Sequence, residues 1–141
     1  MRVYKVIWTV LLLLVMVFPA AAEDTDNLLV NGDFEQINGQ GLPSGWYTDA
    51  YVHQEGYTLW SLSDDARGGE HSASISNFGD NDARFAQRVE VEPNSLYCFS
   101  GYVKVIDMSD YGRGANLSID GLYVFSECLY SATDDWVLLE L

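Results

Sequence analysis

Residues that favour turns interrupt this sequence about every ten residues, and that spacing limits the fold more than any other feature. Asn31-Gly32, Pro93-Asn94 and the Gly-containing residues 63–69 separate short apolar segments from one another. Beyond the first 22 residues, no segment of useful length has apolar residues at the 3.6-residue period of an amphipathic helix. Short strands joined by frequent turns predict an all-β fold, a β-sandwich or jelly roll.

Residues 96–106 have the clearest strand pattern in the chain. Their alternation predicts that one set of side chains faces the core between two sheets and that the other faces outward or lines a groove. The inward set is Tyr97, Phe99, Gly101 and Val103, and the outward set is Cys98, Ser100, Tyr102 and Lys104. The other predicted strands are residues 28–30, 71–76, 85–91, 115–119, 122–125 and 136–141, with two short strands, or a strand and a loop, in 47–62.

The first 22 residues have the pattern of a secretory signal peptide. Arg2 and Lys5 give a positively charged start, residues 6–18 are apolar apart from Thr9, and Ala20-x-Ala22 is a small-residue cleavage site. An uncleaved signal anchor is the alternative. We therefore expect one domain over residues 23–141, secreted or held in the cell envelope, with no membrane insertion after cleavage.

The charge of the chain limits its partners. The full chain has a net charge of −14; without Arg2 and Lys5 the 7 basic residues fall to 5 against 21 acidic ones, a net charge of −16. An acidic surface repels phosphate backbones and anionic lipids, so nucleic acid and membrane surfaces are not expected partners. A neutral sugar meets no such repulsion. Cys98 and Cys128 can form a disulfide in an oxidising compartment, and the sequence leaves open whether they do.

A resemblance to a known family covers nearly all of residues 23–141. It runs through NLLVNGDFE and PSGW, GGEHSASI, AQRVEVEPNSLYCFSGYVKV and TDDW near the end. These segments resemble carbohydrate-binding modules of the galactose-binding-like jelly-roll group, which includes families four, nine, sixteen and twenty-two, and two of them are the most specific. Residues 27–46, NLLVNGDFEQINGQGLPSGW, are similar to the family's N-L-[LV]-x-N-G-D-F-E and P-x-G-W, which form the first strand and loop. Residues 87–104 are similar to its Q-x-V-x-V-x-P-x-x-x-Y-x-[FL]-S-x-x-x-K. By this resemblance Trp46 and Trp136 are structural. The family's closing strand has no counterpart, so we expect an incomplete module that belongs to a longer protein with downstream domains.

The resemblance implies a non-catalytic module that directs a larger extracellular or envelope protein to a polysaccharide or oligosaccharide. It also implies a structural Ca²⁺, because such modules often hold one near the N-terminal strand. Its ligands would be the Glu35 carboxylate, the Asp33 backbone carbonyl and backbone oxygens of the turn that ends at His71, together with an Asp of the missing strand. A Glu35 side chain that is solvated or caps a loop is the alternative.

Sugars are bound by aromatic rings and by side chains that form hydrogen bonds. Tyr102 is the first candidate, because alternation places it opposite the core-facing residues. Trp60 is the second, because it lies in a polar segment flanked by turns. Arg84, Gln87 and Tyr123 are candidates for hydrogen bonds or further stacking. Each has a structural alternative, since large aromatic residues in a small sandwich more often fill the core.

Three other functions are alternatives to sugar binding. An enzyme is not expected, because no G-x-S-x-G elbow, H-E-x-x-H helix or phosphate-binding loop occurs in the sequence. A protein-interaction or adhesion module and a spacer without a ligand share the same fold expectation. The accessibility of Tyr102 and Trp60 on one concave face distinguishes a sugar-binding module from a spacer. If both are buried, the sugar hypothesis loses its best candidate residues.

Overall fold

The computed structural model of the chain describes residues 27–141 and contains eight β-strands and no helix in that range. The strands are β1 (Tyr47–Ala50), β2 (Thr58–Ser63), β3 (Ser72–Asn77), β4 (Ala83–Ala86), β5 (Ser100–Val103), β6 (Ser118–Ile119), β7 (Val124–Phe125) and β8 (Val137–Glu140). The all-β prediction is confirmed. The predicted signal peptide lies outside the described residues, and from residue 27 onward no helix has the length and apolarity needed to cross a membrane.

The strands form four antiparallel pairs, β1–β4, β2–β3, β5–β8 and β6–β7. In each half of the chain an outer pair encloses an inner hairpin in sequence. The hairpin β2–β3 lies between β1 and β4, and the hairpin β6–β7 lies between β5 and β8. This nesting is consistent with a β-sandwich, and it makes the outer pairs the long-range contacts of the fold.

The side-chain faces of β5 follow the predicted alternation. Gly101 and Val103 are partly buried and pair with Leu139 and Val137 of β8, of which Leu139 is fully buried. Tyr102 lies on the opposite, exposed face. The strand is much shorter than the predicted residues 96–106, however, since β5 contains only Ser100–Val103. Residues 95–99 are therefore not in a strand, although Phe99 and Leu141 exchange two backbone hydrogen bonds of 2.9 Å.

Two sequence predictions are wrong in this region and at the start of the domain. Tyr97 does not face the core; it is 42% exposed, and its hydroxyl accepts a hydrogen bond from the Glu92 backbone N–H. Residues 28–30 do not form the predicted first strand. The Val30 N–H donates to Gln87 Oε1 at 2.8 Å, and Gln87 Nε2 donates to the Val30 carbonyl at 2.8 Å. A side-chain amide thus takes the place of a neighbouring strand.

Few apolar side chains in residues 27–141 are buried. They are Ala50, Val105 and Leu139, with Pro43 also enclosed. Cys98 and Cys128 are both free in the structure, Cys98 exposed and Cys128 partly buried. With little apolar burial, the described part of the fold depends strongly on its polar contacts.

The buried side chain of Asn31 is the centre of the polar contacts in the opening segment. Its Nδ2 donates to the carbonyls of Gln36 and Ser44, and its Oδ1 accepts the Gln36 N–H, all at 2.9 Å. Its own carbonyl accepts the indole N–H of Trp46 at 3.0 Å. The Trp46 ring packs against Phe34 with centroids 5.1 Å apart. Asn31 has a positive φ of 53°, which Asn tolerates better than most residues. The predicted turn and the structural role of Trp46 are confirmed.

We expect Asn31→Ala to lower the free energy of unfolding by about 2–4 kcal/mol, because it removes three hydrogen bonds and leaves the Gln36 N–H and the Ser44 carbonyl without partners. The Gln36 carbonyl keeps the Ser44 N–H at 2.7 Å. The matched control is Asn94→Ala, at an exposed position with a similar φ of 61°. It carries the same backbone cost of about 1 kcal/mol without the loss of those bonds. Urea unfolding followed by tryptophan fluorescence measures both. Equal losses in the two variants would show that the Asn31 amide bonds contribute nothing.

Candidate functional site

The loop of residues 64–71, between β2 and β3, brings together most of the chemically interesting side chains. One end of the loop contacts Glu35 of the opening segment, and its middle contacts β5. Ser72, at the start of β3, donates its hydroxyl to the Asp65 carbonyl at 2.8 Å. The loop is therefore held from three directions.

Glu35 caps the end of this loop. Its Oε1 accepts the backbone N–H groups of Glu70 at 2.7 Å and His71 at 3.0 Å. These two bonds, the one from His71 first, hold the pKa of the Glu35 carboxyl below its ordinary value of 4.5. Gly69 has a φ of +76°, and a Cβ at that position would overlap Glu35 Oε1. Only glycine fits both the backbone conformation and the space.

Two contacts join the loop to β5 and to the residue that follows it. Asp65 Oδ2 lies 2.8 Å from Lys104 Nζ. The guanidinium carbon of Arg67 lies 3.5 Å from the centroid of the Tyr102 ring, a cation–π contact. Tyr102 and Lys104 are two positions apart, so both loop contacts reach the same outward side of that segment.

The predicted calcium ligands are brought together in part. Donor atoms of Glu35, Glu70 and His71 lie within 4.8 Å of one another, and Glu70 was not among the predicted ligands. Two carboxylates suit Ca²⁺, whereas an imidazole nitrogen is not a ligand that it prefers. The turn presents N–H groups of residues 70 and 71 to Glu35. Asp33 contributes only a long 3.5 Å contact from its side chain to the Glu35 N–H. The fit to calcium therefore rests on Glu35 and Glu70.

An open depression of about 590 Å³ lies over β2, β3 and the ends of the 64–71 loop. Its lining combines three hydroxyl side chains, a carboxylate and an imidazole with a few apolar groups. The lining residues are Ile37, Gly41, Ser61, Leu62, Ser63, Asp64, His71 and Ser74. His71 belongs both to the depression and to the cluster with Glu35.

The register of β2 and β3 explains why serines line this depression. Ser61 pairs with Ser74, and Ser63 pairs with Ser72, so four hydroxyl side chains share one face of the hairpin. The alternate pairs are apolar: Trp60 opposite Ile75, and Leu62 opposite Ala73. The repeated Ser-x-Ser of each strand was the sequence signal for this face. The pattern predicts a strand at residues 71–76, and none of these serines was among the predicted site residues.

The two aromatic residues predicted to bind sugar do not line the depression. Tyr102 is 41% exposed, and the guanidinium of Arg67 covers one face of its ring. Trp60 is partly buried on the apolar side of β2, and its indole N–H has no hydrogen-bond partner among residues 27–141. They lie on different strand pairs, β5–β8 and β2–β3.

The other three residues predicted to bind sugar, Arg84, Gln87 and Tyr123, do not line the depression either. Arg84 lies 3.4 Å from Asp49, its partner across β1–β4, and 3.9 Å from Asp82. Gln87 uses its amide for Val30 and, through Nε2 at 3.0 Å, for the Gly45 carbonyl. Tyr123 is 90% exposed in the turn between β6 and β7. The structure gives Arg84 and Gln87 contacts within the fold and leaves Tyr123 free.

Comparison with known proteins finds no matching family model, no matching curated protein and no matching solved structure. What the protein binds is therefore inferred from the geometry of the depression and of the loop beside it.

We expect Gly69→Ala to lower the free energy of unfolding by at least about 2 kcal/mol, because alanine is strained at this φ and displaces the Glu35 carboxylate. Gly68→Ala is the matched control, since nothing lies within 4 Å of its Cβ position. We expect that variant to stay within about 0.5 kcal/mol of the wild type. Urea unfolding compares the two. A Gly69→Ala protein as stable as the control would contradict the contact with Glu35.

The stabilising effect of Glu35 should depend on pH. Its folded-state pKa is lowered, so its contribution is fully present above the ordinary pKa of 4.5 and is lost as the pH falls through the folded-state pKa. The difference in unfolding free energy between wild type and Glu35→Gln should therefore shrink on acidification. Glu127→Gln, at an exposed carboxylate without an ion pair among residues 27–141, is the control. A Glu35 difference that is constant from neutral to acidic pH would refute the prediction.

Proposed function

We propose that this protein binds glycans without catalysis, and that the depression over β2 and β3 is its binding site. The observation that carries the proposal is the combination of Ser61, Ser63 and Ser74 hydroxyls with the Asp64 carboxylate in one open hollow. A pyranose ring presents many hydroxyl groups, and these require several donors and acceptors within a small area. Serine, aspartate and histidine side chains supply both.

The shape and apolar content of the depression suit the same ligand. Its volume of about 590 Å³ falls in the range of small-molecule sites. Ile37 provides apolar surface for the C–H groups of a sugar ring. The loop that supplies Asp64 and His71 is held in place by Glu35 and by Lys104. A pre-positioned loop reduces the ordering cost of binding.

The resemblance of residues 27–46 and 87–104 supports a finer proposal. The domain is a galactose-binding-like jelly roll that is secreted or held in the cell envelope, and it directs a longer protein to glycans. The strongly acidic charge of −14 agrees with a neutral ligand and disfavours nucleic acid. Calcium bound by Glu35 and Glu70 would stabilise the 64–71 loop at the end that contacts Glu35.

The state of Glu35 argues against a role as the general acid of a glycoside hydrolase. A general acid in glycoside hydrolysis requires a raised pKa so that it carries a proton near neutral pH. The two backbone N–H groups at Glu35 Oε1 lower its pKa instead. Glu35 therefore acts as an ionised cap for the loop.

One observation favours a second function, contact with another protein. The hairpin β6–β7 exposes a set of apolar and aromatic side chains, and exposed patches of this kind often mark interaction surfaces. The most exposed are Leu122, Tyr123, Val124, Phe125 and the nearby Tyr130.

Isothermal titration of residues 23–141 with a panel of neutral oligosaccharides tests the glycan proposal. We expect saturable binding by the wild type. The double variant Ser61→Ala/Ser74→Ala should weaken it about ten-fold, because each lost hydrogen bond contributes about 0.5–1.5 kcal/mol. Ser76→Ala is the matched control, on the same face of β3 but outside the depression.

Absence of binding by the folded wild type to every member of the panel would reject the proposal and favour the protein-contact function. Equal binding by the double variant and the control would reject the location of the site. Repeating the titrations with a chelator tests calcium: if Glu35 and Glu70 hold the ion, the chelator lowers the melting temperature of the wild type but not that of Glu35→Gln.

A further inference from the structure

Arg67 is the feature that the proposed site leaves unexplained. Its guanidinium lies over the Tyr102 ring, with the guanidinium carbon 3.5 Å from the ring centroid, while the residue as a whole is exposed. The ring restrains the position of the guanidinium, and an exposed arginine keeps N–H donors accessible from solvent.

The charge of Arg67 is also not neutralised within residues 27–141. The ion pairs of that part of the chain involve His53, Arg84 and Lys104, and none reaches Arg67 within 4.0 Å. Its closest acidic neighbour in sequence along this side of the loop, Asp65, is taken by Lys104 at 2.8 Å. In a chain with 21 acidic residues, a fixed arginine without a carboxylate partner is a ready site for an anion from outside.

We infer that Arg67, positioned by Tyr102, binds the carboxylate of a uronic acid residue in the glycan. This rests on the proposed function, because the same ligand occupies the depression. The loop supports that connection: Asp64 and His71 line the depression, and Arg67 lies between them in sequence. Three residues of chain span at most about 11 Å, a distance that a short oligosaccharide covers.

The chemistry specifies the kind of acidic glycan. The guanidinium fork matches the two oxygens of a carboxylate, and such charge-assisted pairs are stronger than bonds between neutral groups. A polyanion, however, meets the overall charge of −14 at several points along its length. A mostly neutral oligosaccharide with a single uronate pays that repulsion once. The preferred ligand is therefore a neutral chain with isolated uronate residues.

The experiment compares two matched ligands: a neutral oligosaccharide bearing one glucuronate, and the same oligosaccharide after its carboxyl group is reduced to an alcohol. Titration calorimetry at low and at physiological salt should show that the wild type binds the acidic form about ten-fold more tightly. Added salt should reduce that preference, since the Arg67 site is exposed.

Three variants locate the preference. Arg67→Ala should bind both ligands equally and retain the affinity of the wild type for the reduced one. Arg67→Lys keeps the charge but lacks the planar fork, so it should retain only part of the preference. Arg88→Ala removes another exposed arginine without an ion pair among residues 27–141 and should keep the full preference.

Equal binding of both ligands by the wild type would overturn the inference while leaving the proposed glycan function in place. So would a preference that persists in Arg67→Ala or disappears in Arg88→Ala. If the wild type binds neither this pair nor any glycan of the neutral panel, the proposed function fails, and the inference fails with it.

Discussion

The side-chain amide of Asn31 is the contact on which the opening segment depends. Three of its hydrogen bonds hold residues 36 and 44, and the carbonyl of the same residue holds Trp46. These bonds close a long loop that buries little apolar surface, because buried backbone groups require partners wherever no strand supplies them. The closed loop places Glu35 against the backbone of residues 70 and 71. The position of the loop at the candidate site therefore depends on the hydrogen bonds of Asn31.

Other amide side chains in the same half of the fold act in a similar way. Gln87 exchanges two hydrogen bonds with the backbone of Val30, and Asn81 exchanges two with the backbone of Val52. Each amide offers one donor and one acceptor side by side, the pattern that a strand offers its neighbour. Amide side chains therefore satisfy backbone groups that longer strands would otherwise pair. They fix the loops between the short strands without a large apolar core.

Local pattern was enough to predict the all-β class, the turn at Asn31 and the alternation of β5. It was not enough for the role of Gln87, because an amide that bonds a backbone 57 residues away has the same sequence signature as one that bonds a ligand. The prediction of a strand at residues 28–30 was wrong for the same reason, because the backbone of Val30 pairs with the distant Gln87 amide and not with a strand. The covering of Tyr102 by Arg67 depends on how a loop between two strands reaches a third, which periodicity does not describe.

The position of Asn31 before Gly32 also makes this residue susceptible to deamidation. Asparagine followed by glycine readily deamidates, because the glycine nitrogen attacks the side-chain carbonyl carbon when the side chain is free to turn towards it. The attack releases ammonia and forms a cyclic imide, which water then opens to a carboxylate. In the closed loop that side chain is clamped by three hydrogen bonds, so the reaction requires local opening. The product carboxylate has no N–H to donate to residues 36 and 44. Deamidation at Asn31 therefore removes the hydrogen bonds that slowed the reaction, and it is irreversible. Its rate is set by how often this loop opens.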